Sequence, residues 1–282
     1  MVVERRPIIG QQSGPAKLRP APRRMSDPVA AWRRELPVLR GAHVDLREVT
    51  GDDALGLFEL ISQDEAVHRH ISAPPPSIVA FHGFIRWCHQ QRAAGGSVCF
   101  AIVPHGLEHA VGIFQIRKLG LDFSVAEWGF ALGSMFWSTG IFAEAAALAA
   151  EFAFTTLGTF RLEGRATTAN GRGNGALLKL GASSEGILRG GLQRDDCPRD
   201  QFIWGLLAEE WRQPAAGQER FSAAAAQKNI ETAIAEFQTR RLNNPQSPQS
   251  TSRVPLYPFF VSSAPADGED EPPPRKPKPP RG

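Results

Sequence analysis

The run from Phe136 to Phe154, FWSTGIFAEAAALAAEFAF, constrains the chain more than any other stretch. Alanine dominates it, and only Glu144 and Glu151 carry charge. Alanine forms helix readily and adds no bulk, so the segment predicts a helix able to lie close against a sheet. Ile141, Ala145, Leu148, Phe152 and Thr155 recur along it at helical spacing. The helix is expected to start on Gly140, straight after a Ser-Thr turn, where a glycine lets the backbone turn closely. The first amides of a helix lack an intrahelical acceptor and, with the helix dipole, make a site for an anion. A plain buried helix carries the same pattern, so this segment alone leaves both readings open.

The strand before it narrows the choice. Along VAEWGFAL, Ala126, Trp128, Phe130 and Leu132 point one way, and Val125, Glu127, Gly129 and Ala131 the other. A carboxylate flanked by Gly and Ala stands on a face with little bulk, which leaves room for another molecule.

The remaining elements follow from periodicity. HVDLREV reads as a half-buried strand, and TGDDALGLFELIS as a helix with Thr50 as N-cap and Leu57, Leu60 and Ile61 on one face. IVAFHGFIRWCHQQRAA repeats helical spacing through Phe81, Phe84, Ile85 and Cys88. SVCFAIV and AVGIFQIR are strands joined by the PHGLEH turn. After the alanine-rich helix come a strand in RLEGRATT, a short helix in NGALLKLG, and a hairpin from EGILRGGL and QFIWGLL. The order β-α-α-β-β-β-α-β-α-β-β predicts an α+β fold, a mixed and mostly antiparallel central sheet flanked by helices.

Both ends read as tails. Residues 1–40 hold nine Lys or Arg against three acids and are broken by prolines. Residues 1–35 are therefore expected to be a disordered basic leader, with Met25 of MSDPVAAW as the expected start. Residues 36–212 form the compact domain. Residues 213–282 form a C-terminal tail with one possible helix in AAAAQKNIETAIAEFQTRR, otherwise disordered through NNPQSPQSTSR and GEDEPPPRKPKPPRG. No apolar run approaches the ~20 residues that span a bilayer, which predicts a soluble, cytoplasmic protein without a membrane partner. The net charge of +3 is too small to imply nucleic acid. Cys88, Cys99 and Cys197 lack metal-type spacing, and an odd number argues against a disulfide framework. His68 with His70, and His105 with His109, lack a third ligand at helix spacing, so no metal is expected.

Taken in order, AEWGF, WSTGIFAEA, RLEGR, NGRGNGALLKLGA, EGILR and DQFIWGLLAEEW resemble the GCN5-related N-acetyltransferases (GNAT), closest to the bacterial ribosomal-protein N-terminal acetyltransferase branch. The likeness covers residues 36–212. It implies the acyl-CoA N-acyltransferase fold, acetyl-CoA as co-substrate and an amine acceptor, foremost a protein N-terminal α-amine. A small-molecule amine (polyamine or antibiotic) and a catalytically degenerate CoA-binding module are the alternatives. The resemblance implies that Thr139, Gly140, Ile141, Phe142 and Ala143 cradle the CoA pyrophosphate. The strand end near Leu132 would pair with the pantetheine arm, and Asn170 would hydrogen-bond that arm. Two positions depart from the pattern: Phe142 stands where the family usually has Gly or Ala, and Gly173 where it commonly has Ser.

Acetyl transfer needs a neutral amine and donors for the thioester oxygen. Glu127 is the candidate base, directly or through water; its bland reading is a strand carboxylate facing solvent. Glu163 alternates with Arg161 and Arg165 and reads as part of an ion-pair face. The single tyrosine, Tyr257, lies in the tail, so no catalytic acid is named. A thiol with a pKa of about 8.5 leaves readily as thiolate without one.

Overall fold

A computed structural model of the chain describes residues 31–194, 197–212 and 223–243. Eight strands form one sheet: β1 (Leu39–Arg40), β2 (Val44–Glu48), β3 (Ser97–Pro104), β4 (Gly112–Lys118), β5 (Val125–Leu132), β6 (Arg161–Thr167), β7 (Ser183–Arg194) and β8 (Cys197–Leu207). Their spatial order is β1-β2-β3-β4-β5-β6-β8-β7. Every described pairing is antiparallel except β5 with β6. The helices are α1 (Ala54–Leu57), α2 (Glu65–His68), α3 (Ile78–Ala94), α4 (Ile141–Phe152), α5 (Gly171–Lys179), α6 (Ala208–Arg212) and α7 (Ala223–Asn243). The mixed sheet flanked by helices agrees with the pattern read from the sequence.

The two faces of the sheet are packed differently. On one, Leu57, Ile61, Phe81, Phe84, Ile85 and Cys88 from α1, the turn after it and α3 meet Cys99, Ala101, Ile113 and Ala131 from the strands. The helical faces expected for both segments are the buried ones. On the other face Phe100 meets Phe152 edge-on at 5.2 Å, and the Phe130 ring lies 4.4 Å from that of Phe142. Ala145, Ala146, Ala149, Ala150 and Ala153 are buried there, so the alanines of α4 do allow its close approach. Thr155 differs from expectation and is exposed. A π-helical turn at Ala153–Leu157 shifts the phase of the helix, and the Thr155 hydroxyl donates to Glu151 O at 2.6 Å.

The packed unit extends past both boundaries expected from the sequence. At its start, Ala31–Arg33 forms a 3-10 turn whose Trp32 is buried, edge-on to Phe123 at 5.5 Å. Beyond residue 212, α7 buries Ile230, Ala233 and Phe237. The spacing of three and four puts these side chains on one face of that helix. Residues 1–30, 213–222 and 244–282, including the proline-rich ends and Tyr257, lie outside the described residues.

One buried charge organises the region before α1. Asp53 is fully buried and accepts from Arg47 Nη1 and Nη2, both at 2.7 Å. It also accepts the amides of Thr50 at 2.8 Å and Ala110 at 2.9 Å. Burial pushes the carboxyl up, but the guanidinium and the two amides outweigh it and hold Asp53 below the ordinary carboxylate value.

Candidate active site

The parallel junction is where the sheet opens. β5 and β6 pair from Val125↔Arg161 to Trp128↔Gly164 and no further, although β5 runs on to Leu132 and β6 to Thr167. Gly133 N donates to Val111 O on the β4 side at 3.0 Å. Peptide groups of successive strand residues face opposite edges, so those of Phe130 and Leu132 face the gap. The Leu132 carbonyl is already used, accepting from Trp137 Nε1 at 2.9 Å. The Leu132 amide and the Phe130 peptide groups are thus the strand edge offered to another molecule, a narrower offer than the sequence suggested.

The start of α4 lies at the same end. Gly140 is its N-cap at φ 98°, in the left-handed region that glycine enters freely. Ser138 also has positive φ, at 62°. The Thr139 hydroxyl donates to Phe136 O at 2.7 Å and accepts the Ile141 amide at 3.4 Å. Glu144 is the first helix residue whose amide reaches back to a main-chain carbonyl, that of Gly140 at 3.2 Å. The amides of Phe142 and Ala143 precede it and are oriented for an anion. The Phe142 ring folds onto the sheet against Phe130, which accounts for its bulk at a position where the family has Gly or Ala. Glu144 is tied down by His43, whose amide donates to Oε1 at 2.9 Å and whose Nδ1 lies 3.0 Å from Oε2.

Arg172 completes this end. Its guanidinium lies over the Trp137 ring, 5.3 Å from the centroid, and Nη1 is 3.3 Å from Ser138 Oγ. An exposed cation therefore stands beside the start of α4. Its partners are 34 and 35 positions away in sequence, so only the fold reveals it.

Asn170 lines the cleft between β5 and β6. Its Oδ1 accepts the Gly173 amide at 2.9 Å and caps α5, leaving Nδ2 as a donor. A side chain at position 173 would place its Cβ 2.6 Å from that Nδ2. The glycine found where the family has Ser is thus coupled to the rotamer of Asn170.

Across the cleft stand His70 and Ser72 from the loop after α2, with Gly129, Arg165 and Gln201 from the sheet. Glu127 shares the face of Gly129 but is not at the surface; it is 1% exposed. This corrects the solvent-facing alternative. Arg117 Nη2 donates to Glu127 Oε2 at 2.8 Å, and Arg165 Nε lies 3.6 Å from Oε1. The row of charge continues along the sheet, with Arg161 Nε donating to Glu163 at 3.0 Å and its Nη1 to Glu185 at 2.7 Å. Glu163 therefore stands in the ion-pair face the sequence suggested. The hydrogen bond to Glu185 raises the pKa of Arg161, and the same contact lowers that of Glu185.

His70 has the opposite character. Burial lowers its pKa first, helped by Arg69 and Arg199, so the ring is neutral at pH 7. Its buried Nδ1 has no hydrogen-bond partner among the described residues. No group of three or more His, Cys, Asp or Glu among the described residues could hold a metal ion. No helix among them is long and apolar enough to cross a membrane.

A mixed sheet opened at its parallel junction, with a glycine-capped helix beside the opening, defines the acyl-CoA N-acyltransferase fold. The sequence model of the family described as "Acetyltransferase (GNAT) domain" matches residues 43–183, half of the chain. The chain belongs to this family and is an acetyl-transferring enzyme. It is 23% identical over 175 residues to the uncharacterized N-acetyltransferase YoaA of Bacillus subtilis (strain 168), covering 61% of this chain and 97% of YoaA. Among solved structures it is similar to Mycobacterium smegmatis RimJ in complex with CoA-disulfide, at 23% identity and TM-score 0.57, covering 67% of this chain and 92% of that one. It is also similar to a Vibrio cholerae protein provisionally assigned as a ribosomal-protein-serine acetyltransferase, at 21% identity and TM-score 0.53, covering 60% and 97%.

Proposed function

We propose that the enzyme transfers the acetyl group of acetyl-CoA to a protein N-terminal α-amine. The observation that carries the donor assignment is the gap beyond Trp128↔Gly164 beside the start of α4. Acetyl-CoA supplies the activated acyl group as a thioester. The residues of the chain fit its parts. The amides of Phe142 and Ala143, with Arg172, hold the pyrophosphate; the free edge of Phe130 and Leu132, with Asn170 Nδ2, holds the pantetheine amides. The M. smegmatis RimJ complex contains a CoA disulfide on the same fold, which supports this reading.

Transfer forms a C–N bond, breaks the C–S bond and moves one proton off the amine. Glu127 takes that proton through a water, because its carboxylate is buried and does not line the cleft wall. A carboxylate held by Arg117 and Arg165 is stabilised as an anion, so it is suited to an acceptor that needs little help. A protein α-amine, with a pKa of about 7.7–8.0, is such an acceptor; a lysine near 10.4 is not. A second reading rests on His70, which lines the cleft as a neutral imidazole and takes the proton in place of Glu127.

The charges of the cleft also bear on the acceptor. Arg165 lines it, Arg69 and Arg199 act on His70, and the nearby acids Glu127 and Glu163 are paired with arginines. Among the described residues that line the cleft there is no carboxylate to meet the several positive charges of a polyamine. The V. cholerae relative, with its assignment to ribosomal-protein serine, adds support for a protein acceptor.

The test has two parts. Acetyl-CoA at 100 times its dissociation constant should stabilise the protein by about 2.7 kcal/mol in thermal unfolding. Peptides starting with Ser, Ala, Thr or Met should release free thiol from acetyl-CoA. No shift at millimolar acetyl-CoA would overturn the donor assignment. Turnover of polyamines or aminoglycosides without turnover of peptides would overturn the acceptor, and binding without any turnover would make the protein a CoA-binding module.

A further inference from the structure

Helix α7 lies outside residues 43–183, the segment matched by the family, yet it reaches the donor end of the molecule. Its Phe237 ring meets that of Phe136 at 5.6 Å and 68°, and both side chains are buried. One residue on, Gln238 Nε2 donates to Gly106 O at 3.4 Å. Phe136 closes the short 3-10 turn Ser134–Phe136 between β5 and the start of α4. Its carbonyl accepts the Thr139 hydroxyl, and that hydroxyl accepts the Ile141 amide. The turn is also held from another side, where Ser134 N donates to Asp64 Oδ2 at 3.0 Å.

The backbone that follows is of a kind that needs such support. Ser138 at φ 62° is in a region unfavourable for a side chain, and Gly140 at φ 98° reverses the chain into the helix. Unusual backbone of this sort persists when its surroundings fix it. Besides the Thr139 relay, the loop is held by Trp137, whose amide donates to Ser134 O at 3.1 Å and whose Nε1 donates to Leu132 O at 2.9 Å, and by Arg172 on Ser138 Oγ. These bonds tie the loop to Ser134, Leu132 and Phe136, so the packing of Phe136 on Phe237 anchors the turn from which the amides of Phe142 and Ala143 are presented.

We propose that Phe237 of α7 is a positioning residue for donor binding: by clamping Phe136 it holds the loop Trp137–Gly140 in the form that accepts a pyrophosphate. This rests on the placement of CoA at the start of α4 proposed above. If loss of the clamp leaves the loop competent only about a tenth of the time, the apparent Kd for CoA rises about tenfold.

The experiment uses the full chain and CoA itself. Calorimetric titration with CoA is carried out on the wild type and on Phe237→Ala, Phe237→Leu and Trp32→Ala, well below each melting temperature. Trp32 packs on Phe123 ahead of the first residue of β5, at the opposite end of that strand from the site, and serves as a control for general destabilisation. The expected result is a Kd about tenfold higher for Phe237→Ala, a smaller rise for Phe237→Leu, and wild-type Kd for Trp32→Ala despite a lower melting temperature. In turnover, the KM for acetyl-CoA should rise in the Phe237 variants while kcat at saturating acetyl-CoA holds. Should Phe237→Ala fail to fold, Phe237→Leu decides. A Phe237 variant that folds and binds CoA as the wild type does overturns the proposal, as does an equal rise in Kd for Trp32→Ala. A wild type that does not bind CoA would overturn the donor assignment itself, a result distinct from these.

Discussion

Replacing Glu127 with Gln separates the two things a buried carboxylate does here. The substitution keeps the shape and one oxygen acceptor, but it removes the charge shared by Arg117 at 2.8 Å and Arg165 at 3.6 Å. Truncating one partner of a fully buried ion pair costs about 3–5 kcal/mol. Both arginine side chains retain some exposure, 24% and 16%, and Gln still accepts a hydrogen bond, so about 2 kcal/mol is expected. For a domain of roughly this size that lowers the melting temperature by about 4–8 °C. Turnover should fall about 10²-fold, the low end for general-base catalysis, since an α-amine is already about one-third neutral at pH 7.5. Raising the pH from 7 to 9 should restore at most about tenfold of this, the gain in neutral amine. Thermal unfolding and thiol release between pH 6 and 9 supply both numbers. A lowered melting temperature with wild-type rates throughout would leave Glu127 as a structural ion-pair hub. The base would then be His70, and His70→Gln should flatten the rise of kcat/KM with pH. An unchanged melting temperature would refute the ion-pair reasoning itself.

Asp53→Asn should destabilise the protein at pH 7 by about 3 kcal/mol, because Arg47 is left without its buried partner. The pKa of Asp53 is lowered in the folded state, so its contribution is present above the unfolded value of about 3.9 and is lost as pH falls through the folded value. The gap between wild type and variant, measured by denaturant unfolding, should therefore close below pH 4. Arg172→Ala should weaken CoA binding about fivefold, or ~1 kcal/mol, as expected for an exposed charge pair. The loss should shrink in high salt; a titration showing equal affinity at low salt would remove Arg172 from the site.

Much of this architecture is legible in the sequence because it depends on local period. VAEWGFAL alternates and is strand β5; the alanines of Phe136–Phe154 predict the helix that packs closest to the sheet. Gly140 was legible as the helix start for the same reason, since a left-handed N-cap demands glycine. What escaped the reading depends on contacts remote in sequence. Glu127 reads as a candidate base or a solvent-facing carboxylate, and its burial against Arg117 and Arg165 of neighbouring strands is not legible. TGDDALG gives no sign that its second Asp is the buried one, because Arg47 and the Ala110 amide decide that. Arg172 gains meaning only over Trp137, and α7 only when Phe237 meets Phe136 about a hundred residues earlier in the chain. Leu132 ends β5 beyond its pairing with β6, and the use of its carbonyl by Trp137 could not be read from spacing.

The outermost position of β7 has a consequence for how such an enzyme can change over evolutionary time. Among the described residues β7 pairs with β8 alone, and its register slips twice, between Ser184 and Gly186 and between Leu188 and Leu192. Leu192 and Gln201 of this hairpin nonetheless line the cleft. A lineage can therefore lengthen, shorten or re-register the hairpin, and so remould this wall of the cleft, without disturbing a single pairing of β5 or the start of α4. Doubling the length of a flexible loop costs only about 0.6 kcal/mol. Change of length is thus thermodynamically cheap at this edge, whereas the turn before α4, tied to Asp64, Thr139 and Phe237, is bound into the rest of the fold.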